Sequence, residues 1–420
     1  MTAHKVVHPL AVPAFRAYFI ARFCNTLAQT GMTLILGWQV YNLARETMDV
    51  TQSAFLLGMI GLAQFVPLFL LTPLVGLAAD TFDRRWIATG TTSLLLLTTA
   101  YLGVLTWFEN LSLPALFVAA VLIGVSRAFS GPAYSALAPN LVPRESLPTA
   151  IAVSSSAWQV GSIGGPSVAG VLYAIHPDLA YGTSCGLFMV ALIAISLIGK
   201  VPQPPVQPDQ RPFNRIAEGF RYVRRNRLVL STITLDLFAV LLAGSTALLP
   251  VFARDILHVG ADGLGMLAAS MGIGAAIIAI YFSFRPMEQD VGLKMLAAVV
   301  IFGLSIVLFG LSTNFWLSVG ALMVAGAADM VSVYVRQSLI QLHTPDEMRG
   351  RVSAVSQLTI SASNELGEAE SGFLASIPML GPVGAVLFGG IGAIVITLIW
   401  AWIFPELRAA RTFTPPEQLR

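Results

Sequence analysis

The sequence predicts an all-α membrane protein with twelve transmembrane helices in two pseudo-symmetric bundles of six. Three observations predict it. Hydrophobic residues make up 56% of the 420 positions, charged ones only 11%, and mean hydropathy is +0.76. That balance lies well beyond the apolar share of a water-soluble domain. The apolar residues are gathered into runs of bilayer-crossing length. Finally, Gly326–Gly372 lies without a gap over Gly124–Gly170 when slid back by 202 positions: Ser332 meets Ser130, Pro345 meets Pro143, Glu347 meets Glu145, and Ala354, Val355 and Ser356 meet Ala152, Val153 and Ser154. One displacement accounts for all these matches, so the chain reads as two related halves.

A helix crossing about 30 Å of hydrocarbon needs roughly 20 mostly apolar residues. On that measure the first half supplies spans at Tyr18–Leu43, Gln52–Leu77, Trp86–Trp107, Leu113–Ala138, Pro148–Ala174 and Tyr181–Gly199. The second supplies Leu228–Phe252, Gly263–Phe282, Gly292–Leu311, Asn314–Leu342, Val352–Ile377 and Pro382–Ile403. The expected organisation is therefore a bundle over 1–200, a linker over 201–227 and a second bundle over 228–420. The linker opens Pro-rich, which bars a helix, and closes with Phe213–Arg225, where Ile216, Phe220, Tyr222 and Val223 oppose a basic face. It reads as a spacer followed by an interfacial helix whose arginines meet anionic headgroups.

Charge placement orients the chain. Lys5, Arg16, Arg84, Arg85, Arg144, the Lys200–Arg227 cluster, Arg285, Lys294, Arg349, Arg351, Arg408, Arg411 and Arg420 fall on one side, against little beyond Arg45 and Arg254 on the other. Cytoplasmic loops keep Lys and Arg, so both termini are expected in the cytoplasm of a bacterial inner-membrane protein, which is expected to be a monomer surrounded by lipid. No small-residue cleavage site follows the first apolar run, so that span is expected to stay.

Other classes find little support. Net charge is +2 and no basic run is interleaved with aromatics, which argues against nucleic acid. Cys24 and Cys185 sit in apolar runs without metal or redox spacing, and read as packing residues. The five histidines, His4, His8, His176, His258 and His343, fall in tails, loops or span ends, so neither a buried metal cluster nor a His base is expected. Gly182–Gly186, GTSCG, fits G-x-S-x-G formally but opens an apolar helix with no strand before it. The sequence thus predicts no cofactor and no enzyme.

The candidate functional residues are ionisable groups at membrane depth, each costing roughly 2.5–3.5 kcal/mol on insertion scales unless it faces a partner or water. They are Arg22, Arg127, Asp236, Asp329, Arg336, Glu365, Glu368 and Glu370. Glu365 lies about thirteen residues into its span, hence roughly 20 Å deep at 1.5 Å per residue. Glu368 shares its face one turn on, and two carboxyls so close cannot both readily stay ionised. These two, with Asp329 and Asp236, are the expected proton-coupling groups. Glu370 points elsewhere by helical angle and is placed with the substrate cavity. Arg22, Asn25 and Gln29 form one stripe of span one. Arg127 matches Asp329 across the repeat, so an ion pair or a pair of cargo contacts is expected there. Arg336, two turns from Asp329, is assigned to gating or inter-bundle bonding.

Two motifs carry a family resemblance. Gly76–Arg85, GLAADTFDRR, closes the second span; small residues permit tight packing, Asp80 can accept from a helix N-terminus, and Arg84 and Arg85 fix the turn. It resembles the cytoplasmic signature of the major facilitator superfamily, G-x-L-a-D-r-x-G-r-[RK], departing at Ala78, Thr81 and Asp83. Gly161–Gly170, GSIGGPSVAG, is similar to the antiporter signature G-x-x-x-G-P-x-x-G-G, with Ala169 for one Gly; Gly161, Gly165 and Gly170 allow close packing and Pro166 bends the helix. Pro13–Phe23, PAFRAYFIARF, and His343–Val355, HTPDEMRGRVSAV, resemble the siderophore-exporter and drug-efflux branch. The resemblance implies two bundles rocking about a central site and proton-coupled export of a small siderophore-like or drug-like molecule, with Gly76, Asp80, Arg84, Arg85, Arg349 and Arg351 at the cytoplasmic gate. A facilitator or importer of an amphiphile such as a lysolipid, or a membrane-embedded enzyme, is the competing reading.

Overall fold

The computed structural model describes residues 8–143, 146–199 and 212–413. It is helical throughout these residues: α1 Pro13–Ala44, α2 Val50–Thr81, α3 Arg84–Trp107, α4 Leu113–Leu137, α5 Leu147–Ile175, α6 Pro177–Ser196, α7 Pro212–Arg225, α8 Arg227–Leu242, α9 Leu249–Val251, α10 Ala261–Phe284, α11 Val291–Leu311, α12 Phe315–Leu342, α13 Asp346–Ala375, α14 Gly381–Ile403 and α15 Pro405–Arg408. Twelve rods of spanning length result when Arg227–Ile256 is taken as one bent rod, and nine of them are apolar enough to cross a bilayer on composition alone among the described residues. The other three are α1, α5 and α13, of 32, 29 and 30 residues. They are long enough but diluted, α1 and α13 by polar and charged side chains and α5 by its serines, Gln159 and the Gly161–Gly170 stretch.

Contacts divide the chain into two compact units, Met1–Leu43 with Ala63–Asp209 and Gly260–Met266, and Ala44–Leu62 with Gln210–Val259 and Leu267–Arg420. Each repeats the same internal scheme. In the first, α3 packs on α4 and α6; in the second, α11 packs on α12 and α14. α4 begins at Leu113 and α12 at Phe315, 202 positions later. The duplication written in the sequence is thus a duplication of packing.

Large apolar side chains cover the outer surfaces, as expected where lipid is the solvent. Trp86 and Trp107, 71% and 68% exposed, stand at the two ends of α3, 21 residues apart. That is roughly 32 Å at 1.5 Å per residue, the separation of two aromatic belts. Trp316 and Trp402 mark the ends of α12 and α14 in the same way.

The seventh span departs from the continuous helix expected over Leu228–Phe252. α8 stops at Leu242, a 3-10 turn covers Ser245–Leu248, and a π-helix covers Phe252–Ile256. Pro250 cannot donate a helical hydrogen bond. Gly244 has no side chain to keep α13 away: a Cβ there would lie 2.8 Å from the Glu368 nitrogen. α7 also differs from a helix lying freely at the interface. Val223 is buried with Ile340, Val352 and Val355 while Phe220 is 52% exposed, so the expected apolar face is split. Tyr222 donates to the His343 carbonyl at 2.7 Å, Glu218 pairs with Arg351, and a Cβ on Gly219 would meet the Arg351 carbonyl at 2.7 Å. α7 is a strap across the turn between α12 and α13. Ile216 lies outside the residues whose side chains are described.

Candidate transport site

In the first unit the polar stripe of α1 is tied into a buried network. Arg22 Nη1 donates to the Tyr18 hydroxyl at 2.7 Å. That hydroxyl reaches the Tyr134 carbonyl at 3.0 Å and the Ser154 hydroxyl at 2.6 Å. Asn25 accepts from Thr92 at 3.2 Å and donates to Gln29 at 3.4 Å, and Thr92 meets the Tyr134 hydroxyl at 3.3 Å. Tyr18 and Tyr134 are buried, as are Asn25 and Thr92. No carboxylate meets Arg22 among the described residues, and its Nε is sealed from solvent without a hydrogen bond. A half-buried guanidinium oriented by a phenol and lacking a counter-ion suits an anionic or phenolic ligand.

Arg127, half-buried on α4, donates to Gln64 of α2 at 3.4 Å. The helices meet closely there: a Cβ on Gly124 would lie 2.9 Å from the Gln64 Cα. A second knot joins Gln39 of α1 to Tyr181 of α6 and, at 3.4 Å, to Thr106 of α3.

The second unit handles its charges differently. Arg336 of α12 pairs with Asp236 of α8, the two side chains 4% and 6% exposed. This assigns Arg336 a bond inside one unit, where the sequence suggested gating or inter-bundle bonding. Asp329 is half-buried on the same face of α12, seven residues earlier. On α13, Glu365 is 3% exposed, while Glu368 and Glu370 are half-buried. Glu370 has an oxygen sealed from solvent without a hydrogen bond. The acidic stretch sits against the break in the seventh span, since a Cβ on Gly367 would fall 2.8 Å from the Val240 carbonyl and 2.9 Å from that of Leu241. The α2 backbone closes the other side, with the Glu368 Cβ 3.4 Å from where a Cβ on Gly61 would be.

The glycines and Pro166 of α5 serve two neighbours. A Cβ on Gly161 would be 3.0 Å from the Thr26 Cβ, and one on Gly165 2.5 Å from the Leu27 carbonyl, so both accept α1. Gly170 instead faces α10, where a Cβ would lie 2.7 Å from the Gly265 Cα, and a Cβ on Gly265 would in turn lie 3.0 Å from the Pro166 carbonyl oxygen. The second unit has the counterpart: a Cβ on Gly58 of α2 would be 2.8 Å from the Ala369 carbonyl and 3.1 Å from the Gly372 Cα.

At the charged helix ends, Asp83 caps α3 and holds Arg85 at 2.6 Å, and Arg85 donates to the Ile198 carbonyl at 2.9 Å. Arg84 donates to the Ala136 carbonyl at 3.4 Å. Arg349 donates to the Gln341 carbonyl at 3.2 Å and Arg351 pairs with Glu218. Cationic side chains thus meet the carbonyl ends of α4 and α12, where the helix dipole favours them. The surroundings of Gly76 and the side chain of Asp80 lie outside what is described, as do Lys5, Arg144, Lys200 and Arg420. On the opposite side Arg45 pairs with Asp255 through contacts of 3.2 and 3.3 Å.

Comparison with known proteins decides the family. The model for transmembrane secretion effectors, a family of the major facilitator superfamily, matches residues 5–412. The chain belongs to that family. It is 28% identical over 411 residues to the enterobactin exporter EntS of Shigella dysenteriae serotype 1 (strain Sd197), covering 96% of this chain and 95% of the relative. Identity and coverage are the same for EntS of Escherichia coli O1:K1 / APEC. Among solved structures, a D-xylose–proton symporter superposes with a TM-score of 0.72 at 12% identity, covering 97% of this chain and all of the other. An inward-facing, occupied bacterial homologue of the lysosomal transporter Spinster gives 0.70 at 14%, covering 96% and 97%. The nucleoside transporter NupG gives 0.66 at 14%, covering 93% and 99%.

This secretion effector is a multi-pass membrane transporter of small molecules with the major facilitator fold. Its structure brings Arg22, Asn25 and Gln29 together on α1, pairs Asp236 with Arg336, and gathers Glu365, Glu368 and Glu370 beside a broken helix. Sequence reasoning passed over Tyr18, Thr92, Tyr134 and Ser154. Tyr18 precedes Arg22 by one helical turn, a spacing that brings the two side chains together and could have flagged the pair. The other three come from separate helices and left no local signal. Among the described residues no group of three His, Cys, Asp or Glu side chains is placed to hold a metal.

Proposed function

We propose that this transporter exports a small anionic or phenolic molecule of the catecholate siderophore kind from the bacterial cytoplasm, by alternating access and in exchange for protons. The observation that carries the reading is Glu365, a carboxyl 3% exposed in the interior of an acidic helix within a membrane-spanning unit. So costly a placement makes sense where the group takes up a proton from one side and releases it to the other. Glu368, one turn on, shares or relays the proton. Arg22, presented by Tyr18 without a carboxylate, supplies the anion contact. The relatives named as enterobactin exporters favour the outward direction and the siderophore class. A useful shift between the two facings needs several kcal/mol of differential binding, which one proton at a buried carboxyl and one cargo anion at a half-buried guanidinium can together provide.

The test is efflux from bacterial cells lacking their own exporters, read as extracellular catecholate siderophore, together with uptake into inverted membrane vesicles under an imposed pH gradient. Wild type should export the siderophore and accumulate it in vesicles in proportion to the gradient. Glu365→Gln with Glu368→Gln should abolish the dependence on pH, and Arg22→Gln should cut siderophore transport about tenfold, equivalent to roughly 1.4 kcal/mol. Siderophore retained inside regardless of the protein removes the cargo assignment. A double mutant with unchanged pH dependence removes the proton site.

A further inference from the structure

The second unit holds a hollow of about 1000 Å³ whose lining includes none of the residues assigned above to proton or cargo binding. Its walls come from three distant segments: Tyr222 and Arg225 at the end of α7 with Arg227 at the start of α8, His343 after α12, and Glu406 and Arg411 around α15. Its floor is rigid. Tyr222 and Asn226 both donate to the His343 carbonyl, at 2.7 and 3.4 Å, and Asn226 caps α8 by accepting from Val229 at 3.1 Å. The Ala410 carbonyl accepts from Gly292 at 3.0 Å, which fixes the backbone that presents Arg411.

The charges do not balance within the hollow. Arg227 and Glu406 neutralise each other through a 2.6 Å contact, with the Arg227 guanidinium also lying 5.6 Å from the Phe404 ring centroid. Burial pushes the His343 imidazole below its ordinary range, so it adds no charge near neutral pH. Arg225 and Arg411 are exposed, and no ion pair engages either among the described residues. Two guanidiniums are left over, and the N-terminus of the 16-residue α8 adds the positive end of its dipole. The segments that line the hollow also carry exposed apolar side chains close by in sequence: Phe220 and Leu342, each 52% exposed, and Trp402, 81% exposed. A positive recess on segments that also expose large apolar side chains matches a molecule with a phosphate head and acyl tails better than a free phosphate.

We propose that this hollow binds the phosphate headgroup of an anionic phospholipid, with Arg225 and Arg411 as its two contacts and the acyl chains running down past Phe220, Leu342 and Trp402. Binding there would fasten the α7 strap to the carboxyl-terminal segment. The proposal stands apart from the transport reading, because neither arginine belongs to the proton or cargo groups.

The full-length protein, delipidated in a neutral detergent, is titrated with phosphatidylglycerol, with phosphatidylcholine and with inorganic phosphate, bound lipid being counted by native mass spectrometry. Phosphatidylglycerol should bind saturably, phosphatidylcholine at least tenfold more weakly, and inorganic phosphate should displace neither. Arg225→Gln with Arg411→Gln should weaken phosphatidylglycerol at least tenfold, and Arg225→Lys with Arg411→Lys should recover most of that loss. The lipid-free melting temperature of each variant, expected within a few degrees of wild type, separates lost binding from lost folding. Equal binding of the two lipids overturns the proposal, as does phosphatidylglycerol affinity unchanged in the glutamine variant. Displacement of phosphatidylglycerol by millimolar inorganic phosphate overturns the lipid assignment in favour of a soluble anion.

Discussion

Asp236 and Arg336 illustrate what a single residue costs and contributes in this protein. Each is expensive in an apolar interior, and the pair holds only because both sit together at about 5% exposure. Removing one partner should therefore hurt far more than removing both. Asp236→Ala is expected to destabilise by about 3–5 kcal/mol, whereas Asp236→Leu with Arg336→Met should fall within about 1 kcal/mol of wild type or above it. Unfolding in mixed micelles measures both, and a single mutant costing under about 1 kcal/mol would remove the pairing. Both residues were visible in the sequence as ions at membrane depth; their pairing was not, because 100 positions separate them and nothing in either helix encodes the register of the other. Arg22 shows the complementary case. The sequence marks it and its stripe, yet the feature that gives it chemical character, a phenol oriented by Ser154 and by the Tyr134 carbonyl, depends on α4 and α5 arriving at the same place.

Among the helices, the three rods too polar to count as spans by composition are α1, α5 and α13, which carry Arg22, the Gly161–Gly170 stretch and Glu365. Polarity in a spanning helix is tolerated only where another helix or water faces it, so weakness of the apolar signal is itself a pointer to function. Glycine gives a sharper contrast. Gly58 meets α13 and Gly170 meets α10 backbone to backbone, whereas a Cβ on Gly90 of α3 would meet nothing within 4 Å. Gly58→Ala and Gly170→Ala should each cost about 1–3 kcal/mol by forcing the helices apart. Gly90→Ala should stabilise α3 by about 0.5–1 kcal/mol through lower unfolded-state entropy. Thermal unfolding in detergent reads all three, and a neutral Gly58→Ala would mean that the α2–α13 crossing tolerates separation. Equal spacing of small residues in the sequence cannot distinguish these positions; only the partner helix does.

Taken whole, the molecule is a duplicated helical protein in which lipid replaces water around each unit. The excess of Lys and Arg at one set of helix ends predicts that alkaline phosphatase inserted between Glu46 and Asp49 is active and that a carboxyl-terminal fusion is inactive; the reverse pattern would invert the orientation. Helix number, duplication and the positions of the costly ions were legible in the sequence, since hydropathy acts on each segment separately and the repeat survives as a fixed offset of 202. The break at Gly244, the strap formed by α7, the pairing of Asp236 with Arg336 and the Tyr18 network were not. A bilayer demands only that each span satisfy its own backbone and present apolar side chains, a condition a linear sequence can state by itself. Which polar group meets which is settled by helix rotation and close approach, and those are properties of neighbours that only the packed structure brings together.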